Sequence, residues 1–482
     1  MTDPLALLPL AAASRGGSID GIPAPALVAA GITLLQRSAP LVRALSGRRS
    51  ALLLPTSPAF FVALAASEGR GAVLMNPLAA PRELAYQIAD AGVGAVFTIG
   101  AFADRIPGGI VRVLLDDAPR MATVVASGVS RTIDLGSHFP LELEGDPDAD
   151  GDPGEAAIVY TSAMLGRPLG AILTHRGLLA NARATLAAGA VGASDRVLAS
   201  LPFSHLFGFV VTGVAPLLAG AKVVTIPRYH PARVIEAIET NGVTMFVGVP
   251  SMYVSLLAAI DRRGGAFDCA ALRLCLCGGA PLDPRVQDRW HATTGIELRQ
   301  GYGLTEASPV ALFNQPSSPN VRGTLGTPYP GVDVSVRDLE SFLAVPDGAT
   351  GEICVRGQTV FAGYVRGSGG AAPHGLEVRD GWLRTGDLGH RRDDGVFVFD
   401  GVAKAMFTRN GFNIYPREIE SAVAELPGVT SASVSAIPDP LHENDIALTV
   451  TGSATEAEIR AWCEQRLSLY KQPAVITIAA TR

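Results

Sequence analysis

The stretch ALLLPTSPAFFVALAASEGRGAVLMNPLAAPRELAYQIADAGVGAVFTIG, residues 51–100, alternates short apolar runs with an amphipathic segment. Ala51–Leu54, Ala72–Met75 and Ala95–Thr98 predict strands, and Pro81–Ala91 predicts a helix before the last of them. Strands that alternate with helices indicate parallel sheets with helices packed on their faces. This stretch therefore assigns the chain to the α/β class.

The same alternation continues to about residue 300, with further strands predicted at Val197–Leu201, Lys222–Ile226, Val243–Val247 and Leu272–Cys277 and helices at Pro231–Asn241 and Leu282–Thr293. In the last helix, Asp283 followed by Pro284 provides an N-cap and a proline at the first helical position. A chain of 482 residues exceeds one hydrophobic core, so several structural units are expected.

Beyond about residue 320 the pattern changes to short strands and turns, as in GVDVSVRD, GEICVRG and GVFVFD. We expect a large N-terminal domain, residues 1–400, of stacked, mostly parallel sheets with helices plus an antiparallel subdomain. Residues 401–404, GVAK, predict a hinge. Residues 405–482 predict a small, shortened α+β C-terminal lobe.

Charge and composition exclude several classes of partner and location. The net charge is -6 and no long Lys/Arg cluster occurs, which argues against nucleic acid. The longest apolar stretch, from Val197 to Val224, is interrupted by Pro202, His205 and Lys222, so no integral membrane segment is expected. The start has no basic segment and the five cysteines are scattered, which predicts a cytoplasmic protein.

Six motifs follow one another along the chain in a fixed order. They are PFSHLFG (202–208), CGGAPL (277–282), GYGLTEASP (301–309), GEICVRG (351–357), RTGDLG (384–389) and GVAKAMFTRNGFNIYPREIE (401–420). Each is weak alone, but together the chain resembles the adenylate-forming (AMP-binding) superfamily over nearly its whole length. The resemblance is nearest to the acyl-CoA synthetase branch.

This resemblance implies an AMP-forming acid–thiol ligase that activates a carboxylic acid with ATP as an acyl-adenylate. A thiol then displaces AMP. The implied cofactors are ATP or AMP, Mg²⁺, and CoA or the pantetheine of a carrier protein. The implied partners are a small carboxylic acid and an acyl carrier protein.

The resemblance also assigns roles to individual residues. Catalysis falls to Thr305, Glu306 and His205, with Glu306 as the Mg²⁺ ligand, because Mg²⁺ prefers carboxylate oxygen. Lys404 corresponds to the hinge and Gly411 to the thiol tunnel. The implied nucleotide-binding residues are Thr161, Ser162, Gly166, Gly278, Gly279, Ala280, Tyr302, Thr305 and Asp387.

The loop YTSAMLGRPLG, residues 160–170, departs from the family pattern YTSGTTGxPKG. It lies between the apolar run 156–159 and a helix-like stretch that starts at Thr174. Met164 and Leu165 replace two threonines, and Leu169 replaces a lysine, although Gly166 and Gly170 still allow the loop to turn. Apolar side chains there would desolvate a triphosphate. The loop is therefore predicted to bind a triphosphate poorly.

The end of the sequence, LSLYKQPAVITIAATR, contains no residue that aligns with the family's terminal active-site lysine. Val402 also replaces a usual arginine. Loss of one preorganised donor typically costs about 3–4 kcal/mol of transition-state stabilisation. Impaired adenylation is therefore expected.

An apolar acyl pocket is predicted around Phe203, Phe207 and Phe209, with residues 247–252 as another wall. This favours a fatty or aromatic acid, although core packing explains these residues equally well. Three functions remain open: a ligase with impaired adenylation, an enzyme that catalyses only thiol transfer from a preformed acyl-adenylate, and a pseudoenzyme that binds AMP, an acyl ligand or a partner without turnover. The first is the leading hypothesis.

Overall fold

The computed structural model describes residues 16–67, 71–117, 119–136, 154–161, 168–365, 377–403, 406–439, 441 and 443–479. Three predicted site residues, Ser162, Gly166 and Lys404, lie outside these ranges, as do the substituted loop positions Met164 and Leu165.

Two nine-stranded sheets form the large domain within the described residues. The first sheet has, in spatial order, strands Gly363–Tyr364, Leu169–Thr174, Glu155–Thr161, Ala72–Leu74, Arg49–Leu53, Val93–Thr98, Val111–Leu115, Met121–Ala126 and Val129–Asp134. Its five central strands, from Glu155–Thr161 to Val111–Leu115, pair in parallel, and the outer ones pair antiparallel.

The second sheet has the order Thr327–Pro328, Val310–Phe313, Leu298–Gly303, Leu274–Cys277, Met245–Gly248, Arg196–Ala199, Lys222–Thr225, Ser18–Ile19 and Ile22–Pro23. The six strands from Leu298–Gly303 to Ser18–Ile19 are parallel. The carboxyl ends of its parallel strands meet at one edge, which is where open α/β sheets bind ligands. The predicted class, stacked and mostly parallel sheets with helices, is confirmed.

The helices of the large domain pack between and outside the sheets. Helix Pro58–Ala66 is buried all round because every residue of PAFFVALAA is apolar. The α-helices are Ala24–Arg37, Ala39–Leu45, Pro58–Ala66, Pro81–Asp90, His175–Gly189, Ala215–Leu218, Pro231–Asn241, Pro250–Arg262 and Pro284–Thr294; Phe207–Val214 is a π-helix, and Gly100–Arg105 and Thr305–Ala307 are 3₁₀-helices.

Helix boundaries follow the capping residues. The Asp283 carboxylate accepts a hydrogen bond from the Arg285 amide, as the predicted N-cap requires. Helix Pro231–Asn241 starts at its proline and ends before Gly242, which has a positive φ of 59°. Thr174 caps helix His175–Gly189 by accepting from the Gly177 amide.

An antiparallel subdomain follows, with strands Val332–Arg337, Gly351–Gly357, Val378–Arg379, Trp382–Arg391 and Phe397–Val402. The small lobe has helices Pro416–Ala424 and Glu456–Arg466, the 3₁₀-helix Leu469–Lys471, and strands Val429–Asp439, Glu443–Gly452 and Val475–Ala479. The lobe also contains a two-stranded hairpin, Phe407–Arg409 with Phe412–Ile414, called here the lobe hairpin. Both predicted subdomains are present.

The small lobe has a hydrophobic core of its own, which includes Ile414, Ile419, Ile446, Leu448 and Ile459. In the described part of the chain no single helix is long and apolar enough to cross a bilayer. Helices Ala24–Arg37 and Ala39–Leu45 satisfy that test only together, and the chain bends by 93° between them.

The phosphate-loop region differs from its prediction. A strand, Leu169–Thr174, stands between the loop and helix His175–Gly189, and it pairs antiparallel with Glu155–Thr161. The chain therefore forms a strand before the helix, which begins at His175, one residue after its predicted start. Gly170 lies in this strand, where a Cβ would come within 3.0 Å of Ile158, Tyr160 and Val365 atoms, so this glycine permits close packing and does not form a turn.

Candidate active site

One cavity of about 280 Å³ lies where the two sheets and the small lobe meet. Every predicted site residue within the described ranges lines it: Thr161, His205, Gly278, Gly279, Ala280, Tyr302, Thr305, Glu306, Asp387 and Gly411. These residues come from both sheets, the antiparallel subdomain and the lobe hairpin. The fold thus brings together groups that are separated by up to 250 positions in the sequence.

The segment Gly278–Ala280 follows strand Leu274–Cys277 and forms one edge of the cavity. A Cβ at Gly278 would lie 3.0 Å from Phe207 Cζ and 3.2 Å from the carbonyl oxygen of Gly301. Gly279 has a φ of +84°, which favours glycine. The absence of side chains leaves a flat backbone surface, suited to contact with a planar ring.

Tyr302 and Asp387 stand together at this end of the cavity. The Tyr302 hydroxyl donates to Asp387 Oδ2 at 2.7 Å, which fixes the tyrosine ring beside the glycine edge. Burial raises the pKa of Asp387 to about 6, although the hydrogen bond from Tyr302 opposes the shift. Asp387 is thus a partly exposed acceptor with a neutral partner, able to accept hydrogen bonds from a ligand hydroxyl.

Glu306 lies in the 3₁₀-helix Thr305–Ala307 and faces the first sheet. Its Oε1 accepts from the Tyr364 hydroxyl at 2.8 Å, and Tyr364 belongs to the edge strand Gly363–Tyr364. Burial raises the pKa of Glu306, while hydroxyl donors on Tyr364 and Thr161 lower it. Glu306 therefore joins the two sheets at the cavity.

The oxygen atoms of Glu306 and its neighbours are of the kind that binds Mg²⁺. A single buried carboxylate with adjacent hydroxyls resembles the usual protein share of such a site, in which substrate phosphates and water supply the other oxygens. Within the described residues no group of three or more His, Cys, Asp or Glu side chains is placed to hold a metal. Glu306 would therefore hold Mg²⁺ together with a nucleotide rather than alone.

His205 precedes the π-helix Phe207–Val214 and reaches the cavity beside Ser204 and Phe207. Burial lowers the pKa of His205 to about 4, so the imidazole is neutral at physiological pH. Its Nδ1 accepts from the Phe207 amide at 3.3 Å, which leaves the proton on Nε2. His205 is thus prepared to donate one hydrogen bond to an oxygen of a substrate.

The lobe hairpin enters the cavity opposite Gly279. Gly411 at its turn has a φ of +75°, and a Cβ there would lie 2.6 Å from Val249 Cγ1. The Gly411 amide donates to Glu443 at 3.2 Å. Phe412 packs edge-on against His205, with 6.5 Å between ring centroids. Only glycine permits this approach of the lobe to the large domain.

Lys471 is a cavity residue that sequence reasoning missed. It is the sole lysine or arginine among the described residues that line the cavity, and its Nζ lies 2.9 Å from Glu83 Oε1 and 2.6 Å from Glu418 Oε1. The lining carboxylates of Glu83, Glu306 and Asp387 outnumber it. Its position in LSLYKQP, a stretch with no other charged residue, could have indicated a buried ion pair. A lysine buried there requires acidic partners.

The predicted acyl pocket is wrong in part. Phe207 lines the cavity, but Phe203 and Phe209 are buried against Phe60 and Phe61, with ring centroids 5.4 to 6.1 Å apart. Residues 247–252 do not line the cavity, although Val249 packs behind Gly279 and Gly411. These aromatic side chains serve the core because apolar contacts surround them on every side.

Two family models match the chain. The AMP-binding enzyme family matches residues 42–365, and the AMP-binding enzyme C-terminal domain matches residues 418–481. The fold, the residues gathered at the cavity and these matches agree. The chain belongs to the AMP-binding enzyme family.

Similar proteins include acyl-CoA ligases with different acids. A sulfoacetate–CoA ligase from Cupriavidus necator is 35% identical over 413 residues, covering 83% of this chain and 77% of the relative. A 4-coumarate–CoA ligase 5 from Oryza sativa subsp. japonica is 32% identical over 443 residues, covering 87% and 79%. A long-chain-fatty-acid–CoA ligase from Bacillus subtilis is 28% identical over 462 residues, covering 89% and 81%.

Among solved structures, a malonyl-CoA ligase in a ternary product complex with methylmalonyl-CoA and AMP is similar over 99% of both chains. Its TM-score is 0.80 and its sequence identity to this chain is 27%. The similarity extends over the large domain and the small lobe together.

Proposed function

We propose that the protein is an AMP-forming acid–CoA ligase whose thiol-transfer machinery is intact and whose adenylation step is slow. The observation that carries this proposal is the convergence of Asp387, His205 and Gly411 on one cavity. An acceptor for a nucleotide, a donor for an acyl oxygen and a glycine passage for a thiol are the groups that such a ligase needs.

The reaction has two displacements. A carboxylate oxygen attacks the α-phosphorus of ATP, forming the acyl-adenylate and releasing pyrophosphate. The thiol sulfur of CoA then attacks the acyl carbonyl carbon, and AMP leaves with the bonding electron pair. We assign Asp387 to accept the ribose hydroxyls and Tyr302 to contact the adenine ring beside Gly278 and Gly279.

We assign Thr305 to the α-phosphate and the Nε2 proton of His205 to the substrate carboxylate. In adenylation this hydrogen bond would orient the attacking carboxylate. In thiol transfer it would stabilise the acyl carbonyl oxygen, which gains negative charge as the sulfur attacks. Glu306 and Thr161 would hold Mg²⁺, which supplies charge neutralisation to the phosphates when it is bound. We assign Gly411, at the turn of the lobe hairpin, to the wall of the thiol route.

Slow adenylation is supported by the charge of the cavity. Its one described lysine, Lys471, is already paired with Glu83 and Glu418. Leu169, where the family pattern has lysine, lines the cavity as an apolar side chain. A triphosphate therefore meets several carboxylates and no uncommitted ammonium or guanidinium group among the described lining residues.

We propose a compact apolar acid as the substrate, either aromatic or a short fatty acid. Phe207 lines the cavity together with His205, and a Cβ at Gly278 would lie 3.0 Å from its ring. The surrounding side chains of Pro202, Leu304 and Val310 are apolar. CoA is the acceptor in this proposal, as in the named relatives.

The test uses two assays on the full chain. ATP, Mg²⁺, CoA and a panel of acids should yield acyl-CoA and AMP slowly. Synthetic acyl-adenylates with CoA should yield thioester at least about a hundredfold faster, given the loss expected for one missing donor at the position of Leu169. Absence of thioester in both assays would refute the ligase proposal. Equal rates in the two assays would refute slow adenylation.

A binding protein without turnover is the second candidate. The paired state of Lys471 favours it, since AMP needs fewer cationic contacts than ATP. Tight AMP binding by calorimetry without thioester formation from any acyl-adenylate would support this function.

A further inference from the structure

A buried polar cluster joins the large domain to the small lobe beside the cavity. Glu83 projects from helix Pro81–Asp90 of the large domain, and Lys471, Glu418 and Ser468 belong to the lobe. Lys471 Nζ donates to Glu83 Oε1 at 2.9 Å and to Glu418 Oε1 at 2.6 Å. The Ser468 hydroxyl donates to the second oxygen of Glu83.

All four side chains are withdrawn from water. Their residues are 8% exposed for Glu83, 6% for Glu418, 4% for Lys471 and 1% for Ser468. Burial opposes the charge of Lys471, but the acidic groups around it raise its pKa well above the ordinary value, so the ammonium remains charged. Removal of one partner from a buried pair is strongly destabilising, because the other charge loses its compensation.

A second ion pair in the same interface differs because it is exposed to solvent. Arg82 on the same helix lies 2.7 Å from Glu425 of the lobe, but the two side chains are 52% and 50% exposed. Exposed pairs contribute little, since water screens them. Arg82 therefore provides a control that differs from Glu83 mainly in burial.

The cluster is connected to the reacting groups through stacked rings. Tyr470, the residue before Lys471, stacks on Phe412 of the lobe hairpin with 4.2 Å between centroids and 19° between planes. Phe412 packs against His205, and Gly411 precedes it at the turn. The position of Lys471 is thus linked to the position of the hairpin in the cavity.

We propose that Glu83 is a positioning residue for thiol transfer, which holds the lobe hairpin in the cavity by binding Lys471 and Ser468. Only the effect of Glu83 on thiol transfer rests on the proposed function. The docking itself is a property of the fold. Glu83 touches no reacting atom in this proposal and acts through Lys471, Tyr470 and Phe412.

The first test is hydrogen–deuterium exchange of residues 407–414 in the full chain without ligands. Glu83→Gln removes the charge but keeps an oxygen for the Ala80 amide that Glu83 now caps. We expect exchange in the hairpin to accelerate about tenfold or more, while Arg82→Gln leaves it unchanged. Strand Gly351–Gly357 reports on the large domain and should be unaffected. Hairpin protection as in the parent protein would overturn the proposal.

A second variant shows whether the effect of Glu83→Gln arises from misfolding of the large domain. Lys471→Met changes the lobe side of the same contact and should accelerate hairpin exchange to a similar extent. The charge reversal Glu83→Lys with Lys471→Glu keeps two acids and one base and should recover part of the protection. No recovery, together with parent-like exchange in Lys471→Met, would overturn the proposal.

The third test separates positioning from stability and from the proposed function. With a synthetic acyl-adenylate, Glu83→Gln should raise the KM for CoA and lower the transfer rate about tenfold, with AMP affinity within about twofold of the parent. An equal loss of AMP affinity would indicate a structural role only and overturn the proposal. If the parent protein forms no thioester, the ligase proposal fails, and the exchange experiments still decide whether Glu83 positions the lobe.

Discussion

Two carboxylates on the same cavity, Asp387 and Glu83, have opposite surroundings. Asp387 accepts from the neutral hydroxyl of Tyr302 at 2.7 Å, and burial raises its pKa to about 6. Glu83 faces the ammonium of Lys471 at 2.9 Å and the hydroxyl of Ser468. The first carboxylate keeps acceptor capacity for a ligand, whereas the second is fully engaged between two parts of the protein.

The two ends of the cavity therefore differ: one has groups suited to bind a ligand, and the other joins the lobe to the large domain. At the end near Tyr302, polar groups can still accept hydrogen bonds from a ligand. At the end near helix Pro81–Asp90, the charged groups are already paired with one another. In the proposed function a nucleotide would therefore gain contacts at the first end and few at the second. Substitutions at the two ends should have separable effects.

The largest effect is expected at Asp387. Asp387→Ala removes the proposed acceptor for two ribose hydroxyls, which should weaken AMP binding by about 3 kcal/mol, roughly a hundredfold. Calorimetric titration with AMP measures this change. Tyr302→Phe keeps the ring and should change affinity less than about threefold. Unchanged AMP affinity in Asp387→Ala would contradict the assignment of the nucleotide site.

The protonation of Asp387 should appear in the pH dependence of binding. Its pKa of about 6 means that the carboxylate is neutralised as pH falls, and a neutral acid accepts hydrogen bonds less well. Adenosine, which has no phosphate to titrate, should bind roughly tenfold more weakly at pH 5 than at pH 8. His205 does not titrate in this range because its pKa is about 4.

The control for this pH profile is Asp387→Asn, in which no carboxylate titrates at that position. Its affinity for adenosine should be independent of pH between 5 and 8. A pH-dependent profile in the asparagine variant would assign the titration to another group, with Glu306 as the nearest alternative.

The proposed weak binding of a triphosphate can be tested by adding a positive charge to the cavity wall. Leu169→Lys places an ammonium group on the cavity wall where none is free among the described residues. The ratio of ATP affinity to AMP affinity should rise about tenfold, since hydrogen bonds to charged groups are worth more than neutral ones. Leu169→Met is the matched control of similar size, and an equal gain there would show that charge is not the cause.

The smallest effect is expected at Tyr364. Tyr364→Phe removes the hydroxyl that donates to Glu306 at 2.8 Å and should lower the free energy of unfolding by about 1 kcal/mol. Denaturant titration measures this change. AMP affinity should stay within about twofold because Asp387 and Tyr302 are unaffected. A large loss of AMP affinity would show that Glu306 belongs to the adenosine end.

The sequence predicted the elements whose signals are local. Helix Pro231–Asn241 has proline at its start and glycine after its end, and its predicted bounds agree with the structure. The predicted strands in the large domain were found within one or two residues. Motifs were equally informative for the catalytic and nucleotide-binding candidates, since each of those within the described residues lies on the cavity. Their spacing encodes strand ends that parallel pairing brings to one edge.

Contacts between distant segments could not be read in the same way. Glu83 and Lys471 are 388 positions apart, and each is an ordinary charged residue in its own helix or turn. Tyr364 reaches Glu306 only because its short strand pairs with Leu169–Thr174. Phe203 and Phe209 lie within four residues of His205, but contacts with helix Pro58–Ala66 determine that they belong to the core.

The separate core of the small lobe, built around Ile414, Ile446 and Ile459, determines what undocking requires. Undocking of the lobe would leave this core intact, since none of those apolar contacts would have to open. The free-energy barrier to such a movement is then set by the few groups at the seam and not by the cohesion of either half. A handful of side chains, rather than the bulk of the protein, would govern how often the catalytic chamber opens.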